Sequence, residues 1–145
     1  MAYSTDQDIF DRLGEQRVQQ LTDDSGTGAV DNERLASVRD EVSRRIDLTL
    51  RGRHEVPVTD AEAVKVLSGI EVDLLAERLY QRRPQIDTPE SVVSAATQAR
   101  QTLTDIQRGH ASLGIDADAD GEEDRPTGLR VRAPKNTLKD KLRNY

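Results

Sequence analysis

The residues best spaced for chemistry are six acids within nine positions: Asp116, Asp118, Asp120, Glu122, Glu123 and Asp124. With Gly121, all of these but Glu123 fill the first, third, fifth, sixth, seventh and ninth places of a calcium loop, where carboxylate oxygens surround a hard cation and a glycine permits the sharp turn. The pattern fails at its end. The twelfth place is Thr127, where a bidentate Glu is required, Pro126 stands before it, and no strong helix pair flanks the run. An acidic linker is therefore the expectation, with a weak cation site at Asp116, Asp118, Asp120, Glu122 and Asp124 as the alternative, and no metal is assigned.

Other chemistry is sparse. His54 and His110 are the two histidines, and neither has the paired spacing that metal ligation uses. The chain has no cysteine, so disulfides, thiolate catalysis and cysteine-ligated clusters are excluded. It contains no glycine-rich phosphate motif, nucleophile elbow or dinucleotide fingerprint. Carboxylates abound, but general acid/base work needs two of them placed in one cleft. We expect neither an enzyme nor a cofactor.

Immediately after the acidic run the charge reverses. From Arg125 to Tyr145 seven basic residues, Arg125, Arg130, Arg132, Lys135, Lys139, Lys141 and Arg143, face only Asp140, a balance of +6; residues 1–124 then carry −12 to give the whole-chain −6. Such a block reads as an arm on a folded body. Aromatic interleaving is missing, with Tyr145 alone available to stack, so the arm is a poor single-strand binder. Its apolar residues suit docking better. Leu129 and Val131 alternate as in an edge strand, whereas Leu138 and Leu142 are four apart as on a short helix. Apolar anchors with basic steering make an arm that orders on a partner, and a solvated tail is the plainer alternative.

The body that must carry this arm is one domain at most, given 145 residues. Apolar residues are 34% of the chain and the aromatics are only Tyr3, Phe10, Tyr80 and Tyr145, so an isolated subunit should be modestly stable and helped by burial against other copies. No eighteen-residue apolar run and no basic-then-apolar start occur, so we expect a soluble chain without a secretory leader or membrane contact. Arginines number 17 against 4 lysines, and 17 Asp exceed 10 Glu. High-GC coding accounts for this bias, and so does a high-salt environment.

Periodicity makes the body all-α. Ser4 and Gln7 form a capping box for a helix over residues 5–13, ending at Gly14; a short helix from Glu15 to Leu21 follows, then a loop over residues 22–28. Asp31 caps the next helix, residues 32–50, whose stripe is Leu35, Val38, Val42, Ile46 and Leu50, with Gly52 closing it. The opposite side, including Glu33, Asp40, Arg44 and Arg45, reads as a solvated or interface surface. The chain is extended around Pro57. Thr59 and Glu62 form the next box, for a helix over residues 60–82 that faces Val64, Leu67, Ile70, Leu74, Leu75 and Leu79 inward. Pro89, at the first helical position, opens residues 89–108 with Val92, Val93, Ala96, Ala99, Leu103 and Ile106 as its face. Gly109 and Gly114 bracket a turn with Leu113. The expected architecture is a small bundle of two short and three longer helices over residues 1–114, an acidic linker over 115–124 and a basic docking arm over 125–145.

An ordered series of segments resembles a family of small tailed-phage proteins, the Mu-like head-tail connector or head-completion family. The series begins Ala2-Tyr3-Ser4-Thr5, Asp8-Ile9, Asp11-Arg12-Leu13-Gly14-Glu15 and Leu21-Thr22-Asp23. It continues through Gly28-Ala29-Val30-Asp31, Leu50-Arg51-Gly52-Arg53 and Val56-Pro57-Val58, then Asp73-Leu74-Leu75, Arg78-Leu79-Tyr80, Arg83-Pro84 and Ser112-Leu113-Gly114. The resemblance implies a non-enzymatic subunit of a ring, commonly twelvefold, in the neck of a virion assembled in the host cytoplasm. Its implied partners are further copies of itself, the portal protein, a downstream neck or tail-completion protein, and genomic double-stranded DNA that passes through the lumen without sequence-specific binding. In related adaptors a C-terminal segment grips the portal, which is the role implied for the arm. With the lysine-poor composition, a haloarchaeal tailed virus is the source considered. Thr59-Asp60-Ala61 and the two C-terminal segments depart from the common pattern. A tail-completion protein and a DNA-binding accessory protein are the alternatives.

Overall fold

A computed structural model describes residues 1–115, and these form five helices with no strand among them. They are α1 (Asp6–Leu13), α2 (Glu15–Thr22), α3 (Asn32–Leu50), α4 (Ala61–Gln81) and α5 (Glu90–Arg108). The all-α bundle expected from periodicity is the observed fold. Helix α4 lies at its centre and packs against all four others, while α3 also meets α2 and α5. The acidic linker and the basic arm lie outside the described residues.

The core follows from the apolar stripes. Leu35, Val38, Val42, Ile46 and Leu50 are all buried on α3, and Val92, Ala96, Ala99, Leu103 and Ile106 on α5. A fully buried Leu or Ile side chain contributes roughly 1.5–3 kcal/mol relative to exposure, so these stripes drive the packing. Helix α4 departs from a simple stripe. Leu67, Ile70, Leu75 and Leu79 are buried as expected, but Val64 and Leu74 are only half-buried, and Ala63, Glu71, Val72, Ala76 and Tyr80 are buried with them. A helix enclosed by four neighbours buries more than one face, which a single-stripe reading cannot represent. On α5, Val93 is 42% exposed and lies outside the face assigned to it.

The starts of α1, α4 and α5 sit one residue later than the sequence pattern placed them, whereas α2 and α3 begin where expected. The first capping box is Thr5 with Asp8: the Thr5 hydroxyl accepts from the Asp8 N–H, and the Asp8 carboxylate accepts from the Thr5 N–H at 2.7 Å. Ser4 cannot serve because its side chain is turned inward. At α4 the cap is Asp60, which accepts from the Glu62 and Ala63 N–H groups at 3.0 and 2.9 Å and displaces Thr59. Pro89 is the N-cap of α5 instead of its first helical residue. Asp31 caps α3 as expected, accepting from Arg34 N–H at 2.9 Å.

Helix ends follow the same logic. Gly52 lies in the turn after α3, whose C-cap is Arg51 in right-handed geometry, so that helix ends without a left-handed glycine. Helix α5 does use one. Gly109 has φ 76°, and the N–H groups of Gly109 and His110 return to the carbonyls of Ile106 and Asp105, which satisfies the last turn. Leu113 is buried just beyond it. The Val56–Pro57 peptide is cis. Among the described residues no helix is long and apolar enough to cross a membrane.

Candidate functional site

Among the described residues, no group of three His, Cys, Asp or Glu side chains is placed to hold a metal ion. His110 is exposed after the α5 stop and His54 is half-buried in the loop before Pro57. The residues of the proposed cation site, Asp116 to Asp124, and of the docking arm, Arg125 to Tyr145, lie outside the described residues. What the structure does bring together is a cleft, an internal polar clamp and a set of interhelical ion pairs.

The cleft, of about 540 Å³, lies between α3, α4 and α5. Val42, Ile46, Leu74 and Leu103 supply its apolar lining and Glu41, Glu77, Arg45, Arg78 and Arg100 its charges. Its carboxylates are already engaged. Arg100 holds Glu77 in a two-pronged bond, Nη1 to Oε2 at 2.5 Å and Nη2 to Oε1 at 3.1 Å, and the bond raises the Arg100 pKa further. Arg78 meets Glu41 at 3.0 Å. These pairs join α3 to α4 and α4 to α5.

The polar clamp is a feature the apolar pattern did not reveal. Residues Tyr3 and Ser4, ahead of α1, are inserted into the body and are 6% and 5% exposed. The Glu71 carboxylate is fully buried and accepts three bonds: from the Ser4 N–H, the Ser4 hydroxyl and the Ser43 hydroxyl. The Tyr3 hydroxyl donates to Asp47 and accepts from the Val58 N–H at 3.1 Å. Burial and then the Asp47 bond push the Tyr3 pKa up to about 12. Arg39 completes the clamp by pairing with Asp6 and donating to the Ser4 carbonyl. Three segments, α3, α4 and the stretch at Val58, are thereby tied to one N-terminal strap. A signal was present in the sequence: Glu71 is four residues from both Leu67 and Leu75, so a carboxylate occupied the line of the core and required partners.

At the other end of α4, Asp24 receives Arg82 at 2.7 Å, Arg83 at 2.9 Å and Arg34 at 3.4 Å. Burial alone would raise the Asp24 pKa, but the Arg82 bond and the three arginine charges hold it below the usual carboxylate range. Arg82 and Arg83 also donate to the Leu21 and Asp23 carbonyls, which fixes the loop between α2 and α3. Within that loop Asp23 accepts from the Thr27 and Gly28 N–H groups, and these bonds lower its pKa. Every one of these sites is a joint between elements. None presents a free nucleophile, base or metal-ligand set.

The family model described as Bacteriophage Mu, Gp36 matches residues 3–131. The chain belongs to that family. This Gp36-family protein is thus a Mu-like phage structural protein, and its family points to the virion. The match takes in all five helices and the Tyr3–Ser4 strap, and it runs beyond residue 114 through the acidic segment to Val131. That stretch therefore falls inside the family span, where the sequence comparison had set it apart as an addition. No curated protein matches the chain.

Proposed function

We propose that this protein is a ring-forming adaptor in the neck of a tailed virion, seated between the portal and the next neck or tail component and extending the DNA channel. The observation that carries the reading is the family match over residues 3–131, which unites the helical body with the start of the arm. Physical support comes from the division of labour along the chain. The described body is held by its own core and interhelical ion pairs, whereas the segment after it changes from acidic to strongly basic and carries Leu129, Val131, Leu138 and Leu142 as anchors. In the proposed ring the arm docks on the portal, copies meet through heterologous contacts that close cyclically, and an acidic lumen lets DNA slide.

The test is removal of residues 116–145 followed by a portal-binding measurement. The adaptor reading expects a folded helical body with portal affinity reduced at least about tenfold, the equivalent of about 1.4 kcal/mol. Unchanged affinity would remove the arm from portal docking. Binding to tail components with none to the portal would favour tail completion instead. Steeply salt-dependent DNA binding that disappears with the arm would favour the nucleic-acid reading.

A further inference from the structure

The face of α3 turned away from the core has a charge order that none of the structural joints uses. Glu33, Ser37, Asp40, Arg44, Leu48 and Arg51 follow one another at spacings of four, three, four, four and three, which puts them on one stripe opposite Leu35, Val42 and Ile46. All six are exposed, and Leu48 at 69% is the most exposed large apolar side chain on any of the helices. Elsewhere on the body three pairs, Arg12–Asp73, Arg78–Glu41 and Arg100–Glu77, match opposite charges across helices. On this stripe, Glu33, Asp40, Arg44 and Arg51 take part in no ion pair among the described residues; Arg44 donates only to the Asp40 carbonyl.

We propose that this stripe is the contact surface for a second copy of the chain, with the two α3 helices antiparallel about a twofold axis at the level of Val42. The arrangement follows from the sequence numbers. It sets Glu33 opposite Arg51, Asp40 opposite Arg44 and Ala36 opposite Leu48, and each pairing occurs twice. The acidic first half of the stripe thus faces the basic second half of its partner's stripe along about 27 Å, at a rise of about 1.5 Å per residue. Ala36 and Ser37, both exposed and small, leave room for Leu48. Antiparallel alignment also opposes the two helix dipoles favourably. The inference goes beyond the adaptor reading and does not depend on it: an isologous pair is a state of the unassembled protein, because a closed ring needs contacts of the head-to-tail kind.

Two double variants test the surface in the full-length chain. Glu33→Arg with Asp40→Arg makes the stripe wholly basic, and Arg44→Glu with Arg51→Glu makes it wholly acidic. Sedimentation in low salt should give a dimer for the unaltered protein, a monomer for each variant alone, and a dimer again for their equimolar mixture. The dimer should weaken toward 1 M salt, where the Debye length contracts to about 3 Å. Helical content by circular dichroism reports whether each variant is folded, and Leu48→Asp, a single exposed change, gives an independent route to the monomer. An unaltered protein that stays monomeric, variants that dimerise alone, a mixture that stays monomeric, or a stripe-dependent assembly larger than two would each overturn the proposal. Imaging on the portal separates this from the adaptor reading: variants that still form rings leave that reading intact, and an unaltered chain that forms none removes it while the solution dimer stands.

Discussion

The inside and the outside of the bundle treat charge in opposite ways. Around Glu71 a buried carboxylate is surrounded by three donors from two segments, whereas on the outer stripe of α3 four charges stand in solvent with no ionic partner among the described residues. A buried charge is tolerated only when its bonds are satisfied, so the clamp fixes where the strap and α3 sit on α4. An exposed charge costs little to leave unpaired and remains available to another molecule. The first region should be sensitive in stability measurements and the second in association measurements. Each variant below is a way to break or sharpen that contrast.

The largest loss is expected at Glu71. Glu71→Ala removes the acceptor of three bonds, strands the Ser4 N–H and hydroxyl, leaves the Ser43 hydroxyl only the Arg39 carbonyl and opens a void against α4, which should cost about 3–5 kcal/mol in denaturant unfolding. Glu71→Gln keeps the shape and an acceptor oxygen and should cost less, about 1–2 kcal/mol. Equal losses for the two variants would show that the carboxylate's second oxygen carries the clamp.

Tyr3 should come next. Tyr3→Phe deletes the bonds to Asp47 and to the Val58 N–H while keeping the ring, for a cost of about 1–2 kcal/mol. The same group predicts a pH window. Its pKa is raised in the fold, from 10.0 to about 12, so the neutral phenol is the form the fold favours. Its contribution is therefore complete below pH 10 and is lost as pH rises from 10 toward 12. Unfolding followed across that range should show a decline that Tyr3→Phe flattens, and phenolate absorbance should show one tyrosine titrating late.

How much of this was legible beforehand depended on which physical rule each residue obeyed. The stripes of α3 and α5 were readable because those helices bury one face, and Asp31 was readable as a cap because nothing else claims its side chain. Ser4 and Thr59 were misread for the opposite reason: each has the right chemistry for a cap, but Ser4 is drawn into Glu71 and Asp60 reaches the α4 amides instead. The clamp was hidden because its partners, Ser4, Ser43 and Glu71, are up to 67 residues apart, a separation that local periodicity does not encode. The charge order on α3 was visible in the sequence, but that Glu33, Asp40, Arg44 and Arg51 form no ion pair within the described body depended on how the helices pack.

A smaller effect is expected at the cleft. Arg100→Ala breaks the two-pronged bond to Glu77, yet Arg100 is half exposed, so solvent already screens much of the interaction and the cost should be about 0.5–1 kcal/mol. High salt should shrink it further, since screening weakens the pair in the unaltered protein.

The smallest effect on the subunit's own stability is expected at Leu48, and it sharpens the comparison because Leu50 lies two residues away. Leu50 is fully buried, and Leu50→Ala should cost about 2–5 kcal/mol through lost contacts and a residual cavity. Leu48, 69% exposed, has no comparable contacts to lose, so Leu48→Ser should leave unfolding within about 0.5 kcal/mol when measured on the monomer in high salt. In low salt, where copies pair, the same change should make the midpoint of unfolding fall and lose its dependence on protein concentration, because binding between folded chains no longer adds to their stability. A substitution silent in the monomer and costly only in the concentration-dependent part assigns Leu48 to contact between molecules, whereas a loss of several kcal/mol in both conditions would place it in the subunit's own packing.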